Sequence, residues 1–152
     1  MILISNKYTW SLLYIFLIYY ILKQKNKYAY IQILLCLLTV IIADFTTSSI
    51  IKPFFERLRP CHDNNFKELI HIVGSCKGLY GLASSHASTT FSLSTIMYLL
   101  FPNRNRIKFL FFWSVLIGYS RIYLGVHYPL DVITGIGIGA LIAFIMYKLY
   151  NS

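Results

Sequence analysis

A chain of 152 residues that is 57% hydrophobic, 17% aromatic and only 12% charged carries about half the charge of an average soluble domain. That composition excludes a water-soluble globular enzyme and predicts one integral-membrane unit over residues 1–152, with no repeat, Gly/Ser linker or low-complexity tract to mark a second. The formal charge of +9 does not indicate nucleic acid, because the basic residues stand at the ends of apolar runs and form no stripe with interleaved aromatics; anionic lipid fits this distribution better.

Five apolar runs approach the roughly 20 residues that a helix needs to cross the hydrocarbon. They are Tyr8 to Leu22, Tyr28 to Ile51, Leu82 to Phe101, Ile107 to Tyr119 and Pro129 to Tyr147. The predicted fold class is therefore all-α, a polytopic transmembrane helical bundle with about five spans. The first run begins after Lys7 and has no small-residue cleavage site, so it reads as a retained anchor and not a signal peptide. The second run contains Asp44, with Ser48 and Lys52 following at four-residue steps on the same face. This reads as a polar stripe that pairs with neighbouring helices more than as a substrate contact. Cys36, in the same run, reads as packing.

Between the second and third runs lies the one sizeable loop, "CHDNNFKELIHIVGSCKGLYG" (61–81). Cys61 and Cys76 can close it with a disulfide, worth roughly 3 kcal/mol. A zinc site from Cys61, His62, His71 and Cys76 is the weaker rival, since no paired CxxC or HxxxH spacing supports it. "FKELIHIV" reads as a short amphipathic helix on the membrane surface. The fourth run is short and is completed by "SRIYLGV", which carries Arg121 to the headgroup level, where its side chain snorkels toward water.

Alternating spans put "KQKNK" (23–27), "PNRNRIK" (102–108) and Lys148 on one side. The basic residues divide evenly between the two sides. On this side, however, they crowd into short loops without an acidic residue, while Glu56, Asp63 and Glu68 dilute the other. The dense loops are accordingly expected in the cytoplasm. The opposite face then collects Lys52, Arg57, Arg59, Ser84, Ser85, His86, Ser120, Arg121, His127 and Asp131, as a single site at the outer mouth of a bundle requires.

The chemistry open to these residues is narrow. Lys52, Arg59 and Arg121 converge with His86, His127 and Asp131, and no carboxylate cage for a divalent metal accompanies them. The guest they suit is an oxyanion, most simply a phosphate. Arginine forks pair with its oxygens, lysine adds a point charge, and backbone N–H groups near Ser84 and Ser85 complete an anion cradle at a helix start. His127 and Asp131 are four residues apart, so on a helical turn the carboxylate holds one ring nitrogen and aims the other at phosphorus as a nucleophile. His86 can protonate the departing oxygen and later activate the hydrolytic water. The result is a two-step phosphatase with no metal or other cofactor. Arg57, beside Glu56, reads as solvated loop charge and is left outside the site.

Three motifs hold these residues: "KPFFERLRP" (Lys52, Arg59, Pro60), "ASSH" (Ala83 to His86) and "SRIYLGVHYPLD" (Ser120, Arg121, His127, Asp131). In kind, order and spacing they resemble the type 2 phosphatidic acid phosphatases, membrane lipid phosphatases that share their site with the vanadium haloperoxidases. The resemblance implies phosphate binding by Lys52, Arg59, Ser84, Ser120 and Arg121, an acid/base role for His86, a nucleophilic His127 and Asp131 as its orienter. Ala83 and Ser85 stand where the family usually has Pro and Gly, and membrane members commonly have six spans, one more than is counted here.

The implied function is hydrolysis of a lipid phosphate or diphosphate through a phospho-histidine, at the extracytoplasmic face of a bacterial-type cytoplasmic membrane. Resemblance to small bacterial members makes undecaprenyl diphosphate the first expected substrate, followed by phosphatidylglycerophosphate, phosphatidate and a lipid A phosphate. A haloperoxidase is excluded because those relatives are soluble. A non-catalytic lipid-phosphate binding or transport protein is the alternative from another class; it needs the cations but not an oriented His127/Asp131 pair.

Overall fold

Each of the five predicted apolar runs folds as a helix in the computed structural model, which describes residues 1–64, 72, 76 and 78–152. A helical turn at Ile2–Ser5 and a 3-10 turn at Lys7–Trp10 lead into α1, Ser11–Lys23; Asn6 caps the 3-10 turn by accepting the Tyr8 N–H at 3.0 Å. Helix α2, Ala29–Phe45, runs on through a wide i→i+5 turn, Thr46–Ile51, into Lys52–Phe55. Helix α3 is Ser85–Leu100, α4 is Phe109–Tyr123 and α5 is Pro129–Asn151. Among the described residues the extended backbone pairs only in an isolated bridge between Leu58 and Tyr80. The fold is all-α.

Among the described residues two helical stretches are long and apolar enough to cross a membrane by length and composition, Ala29–Phe55 with 27 residues and Pro129–Asn151 with 23. Helices α3 and α4, with 16 and 15 residues, rise only about 24 and 22 Å. Helix α1, with 13 residues, is shorter still, so three of the five expected spans fall below the roughly 20 residues of a full crossing. The first and fourth runs were already short in the sequence, and the third is the departure. Helix α3 is cut off at one end by Phe101-Pro102, and at the other it starts inside the polar cluster it serves. Large apolar side chains cover the outside: Leu12 is 78% exposed, Tyr30 79% and Phe109 73%. Such a surface is suited to hydrocarbon, where exposed apolar area costs nothing and backbone groups must be satisfied within helices.

Helix α3 is central, packing most extensively on α5 and also on α2 and α4. Its segment "SHASTTFSLSTIMYLL" is rich in hydroxyls, and most turn back on the helix: Thr89 donates to the Ser85 carbonyl at 2.8 Å and Thr90 to that of His86 at 2.8 Å. Ser94 also bonds across to α4, with its hydroxyl 2.7 Å from that of Ser114 and 3.0 Å from the Leu110 carbonyl. Away from the polar cluster, Ile96, Met97, Ile107, Trp113 and Ile117 form an apolar core with Leu17 and Ile21.

Lipid-embedded helices gain little from hydrophobic association, so close backbone approach has to hold them together. Gly135 and Gly139 provide it where α5 crosses α3. A Cβ at Gly135 would stand 2.5 Å from the Ser84 carbonyl oxygen, and one at Gly139 would collide with that of Ser88. Gly137, between them, faces open space. Gly139→Leu is expected to push the two helices apart and cost about 3 kcal/mol, whereas Gly137→Leu is expected to be neutral; thermal unfolding in detergent compares them.

Arg104 donates to the Gln24 side chain at 3.3 Å, so the basic loops 23–27 and 102–108 meet at the end of the bundle where α3 finishes, opposite the start of that helix. Cys61 and Cys76 are joined as a disulfide. The rival zinc reading loses two of its thiolates to that bond, although His62 lies within 4.8 Å of both sulfurs. His71 and most of "FKELIHIV" lie outside the described residues.

Candidate active site

Three chain reversals build a polar cluster at the head of α3. Helix α2 ends because Glu56 adopts a left-handed conformation, φ 48°, and the chain after it turns back across the bundle. The returning segment pairs with residues 79–81: Arg59 N–H donates to the Leu79 carbonyl at 3.1 Å and Gly81 N–H to that of Arg57 at 2.8 Å. This fixes the backbone on both sides of Arg59. Its side chain is 8% exposed, and Nε donates to the Tyr80 carbonyl at 3.1 Å.

The second reversal starts α3. Ser84 is the N-cap, extended and fully buried, with its hydroxyl 3.5 Å from the Ala87 N–H it accepts. Its own N–H donates to the Asp131 carbonyl at 2.9 Å, tying the head of α3 to that of α5. The third reversal follows α4. Gly125, φ 69°, donates to the Ile122 carbonyl at 2.9 Å and Val126 to that of Arg121 at 3.2 Å, a helix ending that needs glycine's freedom. It delivers His127 inward, 3% exposed, just before Pro129 opens α5.

Asp131 is fully buried in the first turn of α5, and its two oxygens have different partners. Oδ2 accepts the Tyr128 N–H at 2.9 Å and lies 3.4 Å from His127 Nδ1. That second approach is an ion-pair distance, longer than a well-formed hydrogen bond, and Nδ1 has no other partner among the described residues. Oδ1 receives Arg57 Nη1 at 3.2 Å. Gly81 covers the carboxylate so closely that a Cβ there would come within 2.8 Å of Oδ2.

Arg57 is the residue that the sequence reading set aside, and its assignment as solvated loop charge is corrected here. Its guanidinium bridges to Asp131 and lies over the Tyr128 ring, 4.5 Å from the centroid. The available signal was its position two residues before Arg59 in a segment already known to return to the site. The Tyr128 hydroxyl in turn donates to Asp63 at 3.1 Å.

The remaining predicted residues also gather here. Lys52 Nζ donates to the Ser85 hydroxyl at 2.9 Å, and that oxygen lies 2.9 Å from the hydroxyl of Ser48. The α2 stripe thus pairs with α3 as expected. His86 is half-buried, within electrostatic reach of Arg121, His127, Lys52 and Arg59. Arg121 bonds the Ser5 hydroxyl from the N-terminal helical turn, leaving its buried Nε without a partner among the described residues. Ser120 is fully buried, and its hydroxyl donates to the Ile117 carbonyl at 2.6 Å. It props the Arg121 turn from behind.

Burial is the main influence on His127, pushing its imidazole down from 6.5 to about 4, helped by the Arg59 and Arg121 charges and opposed by Asp131. The ring is therefore neutral at physiological pH. With its Nδ1 proton toward Asp131, Nε2 carries the free lone pair. Because folding depresses this pKa, acid favours the unfolded chain. The associated stability is complete above about pH 6.5 and is lost as pH falls toward about 4. His127→Gln is expected to flatten the slope of Tm against pH across that window, measured in detergent.

A cavity of about 780 Å³ descends from Ser85 and His86 between α1, α2, α3 and α4. Apolar residues dominate its walls, and it opens on the flank where Ile18, Leu37, Ile41 and Phe45 are exposed.

Clustered cations thus stand around a buried imidazole and its carboxylate at the mouth of an apolar cavity in a helical bundle. The profile described as the PAP2 superfamily matches residues 32–152. A lipid A 4′-phosphatase of Porphyromonas gingivalis is 40% identical, the match covering 97% of this chain and 64% of that protein. A lipid A 4′-phosphatase of Bacteroides thetaiotaomicron is 34% identical over 95% of this chain and 68% of its own length. An undecaprenyl-diphosphatase of Sulfolobus acidocaldarius is 46% identical, but over only 26% of this chain and 19% of its own. This chain belongs to the PAP2 superfamily. It spans 64% of the length of the Porphyromonas relative. No solved structure matches it.

Proposed function

We propose that the chain is a membrane phosphatase that removes a phosphate from an acylated sugar lipid of the lipid A type. The observation that carries the reaction is the deeply placed His127, held neutral by its burial with Arg59 and Arg121 nearby and set 3.4 Å from the Asp131 carboxylate. The substrate class rests on the relatives: both lipid A 4′-phosphatases align along nearly the whole chain, whereas the undecaprenyl-diphosphatase aligns along about a quarter. The expectation of undecaprenyl diphosphate as first substrate accordingly gives way to a lipid A phosphate.

In this reading Lys52, Arg59 and Arg121 neutralise the non-bridging oxygens, with the backbone at Ser84 and Ser85 behind them. His127 Nε2 attacks phosphorus, the bond to the lipid oxygen breaks, and His86 gives that oxygen its proton. His86 then takes a proton from water as the water attacks the phospho-histidine, releasing inorganic phosphate and restoring both imidazoles. Asp131 supports the cationic His127 ring formed in the first step. The site faces the extracytoplasmic side of a cytoplasmic membrane, away from the basic loops at the other end.

The test is phosphate release by the purified chain from a lipid A phosphate, undecaprenyl diphosphate, phosphatidylglycerophosphate and phosphatidate, with vanadate and EDTA arms. Release that is fastest from the lipid A phosphate, blocked by vanadate and indifferent to EDTA supports the proposal. EDTA inhibition reversed by a divalent ion would falsify the metal-free route, and absence of release from every lipid would leave a binding protein.

A further inference from the structure

Asp44 stands out in the cavity that descends from the site. Among the described residues it is the one acidic group lining it, it is exposed, and it lies eight residues before Lys52 on the continuous helical stretch that begins with α2. Its Oδ1 is 3.4 Å from the Ser48 hydroxyl, itself bonded to Ser85, which Lys52 holds. A polar ladder thus runs from the phosphate cradle into the apolar cavity and ends on a carboxylate. Of the other hydroxyls lining it, those of Thr89 and Thr90 donate to carbonyls of their own helix.

A ligand with its phosphate among the cations and its body in the cavity passes Asp44 on the way down. Hydrocarbon there would strip a carboxylate of water and return nothing, which is costly. A second phosphate would be repelled. A neutral hydrogen-bond donor would satisfy it, and bonds to charged acceptors are the stronger ones. Resting on the lipid-phosphatase reading above, we propose that Asp44 is a specificity-determining residue that accepts a hydrogen bond from a hydroxyl or amide N–H on the membrane side of the substrate's phosphate. The lipid class so selected carries donors close to its phosphate, as an N-acylated amino sugar does. Phosphatidate and isoprenyl phosphates, which have none there, are disfavoured.

The test compares kcat/KM for a diacylated glucosamine phosphate and for phosphatidate, in the native chain and in Asp44→Leu and Asp44→Asn. Taking a ratio of two lipids within one variant cancels any loss of folded protein. The ratio is expected to drop on the order of tenfold or more in Asp44→Leu, and less in Asp44→Asn, whose amide oxygen still accepts. An unchanged ratio in Asp44→Leu overturns the proposal, whatever happens to the absolute rates. Binding supplies a readout that does not depend on turnover, because the chain's two tryptophans, Trp10 and Trp113, both line the cavity. In a His127→Ala background, quenching of their fluorescence by the amino-sugar lipid should weaken on adding Asp44→Leu while quenching by phosphatidate does not. If the native chain hydrolyses neither lipid, the phosphatase reading fails and this titration alone decides the role of Asp44.

Discussion

His127→Ala is expected to abolish phosphate release, by at least about 1,000-fold in kcat, while the protein still elutes as a folded species from a sizing column in detergent. The ring is 3% exposed, so its loss also leaves a small buried cavity. His127→Gln, closer in size, separates the two effects. If glutamine restores the thermal stability but not the turnover, the imidazole nitrogen is the active element. A variant with more than about a tenth of native activity would mean that another group attacks phosphorus. Vanadate should still bind these variants through the cations, because Lys52, Arg59 and Arg121 do not depend on His127 for their partners.

The second large effect is expected at Asp131. In Asp131→Asn one oxygen of the carboxylate becomes an NH₂ group. If that group occupies the Oδ1 position it faces the Arg57 guanidinium, donor against donor; if it occupies Oδ2 it faces the Tyr128 N–H and His127 Nδ1. The first placement loses the charge-assisted bond to Arg57 and the second the preference for the productive tautomer of His127, and both remove the carboxylate charge that supports a cationic ring. A loss on the order of 1,000-fold in kcat is expected, with little change in KM because the carboxylate does not face the phosphate. Asp131→Asn should also unfold more readily, since Asp131 caps the first turn of α5 from a fully buried position. Loss of substrate affinity with kcat preserved would show that Asp131 serves binding and not orientation.

The sequence was most informative where chemistry imposes fixed spacing. The four-residue step from His127 to Asp131 announced the pair, and the structure places them 3.4 Å apart. His127 precedes the helix, however: Tyr128 is extended between it and Pro129, so the capping turn at the head of α5, and not the helical turn expected, brings ring and carboxylate together. The five apolar runs were legible because hydrocarbon demands length and hydropathy together. Arg57 was not legible. Its partner lies 74 residues away, and only the chain reversal at Glu56, which periodicity does not announce, brings the two within reach. Gly135 and Gly139 carried a readable signal in the small-residue spacing of "GIGIG", but which helix they would meet depended on the packing. Asp44 was read from its neighbours on α2. The ladder through Ser48 to Ser85 was foreseeable, but the cavity beside it was not, because a void is made by several helices at once. The choice among lipids escaped for the same reason: the motifs read phosphate, whereas the cavity walls are scattered over α1, α2, α3 and α4.

The open flank of that cavity changes how encounter between protein and substrate should be counted. Ile18, Leu37, Ile41 and Phe45 line an opening onto the bundle's apolar exterior, so a lipid can slide in sideways without leaving its leaflet. Collision then takes place in a plane. The relevant concentration is the number of substrate molecules per unit area of membrane, and diluting that membrane with inert lipid starves the protein even when the amount of substrate in the tube is unchanged.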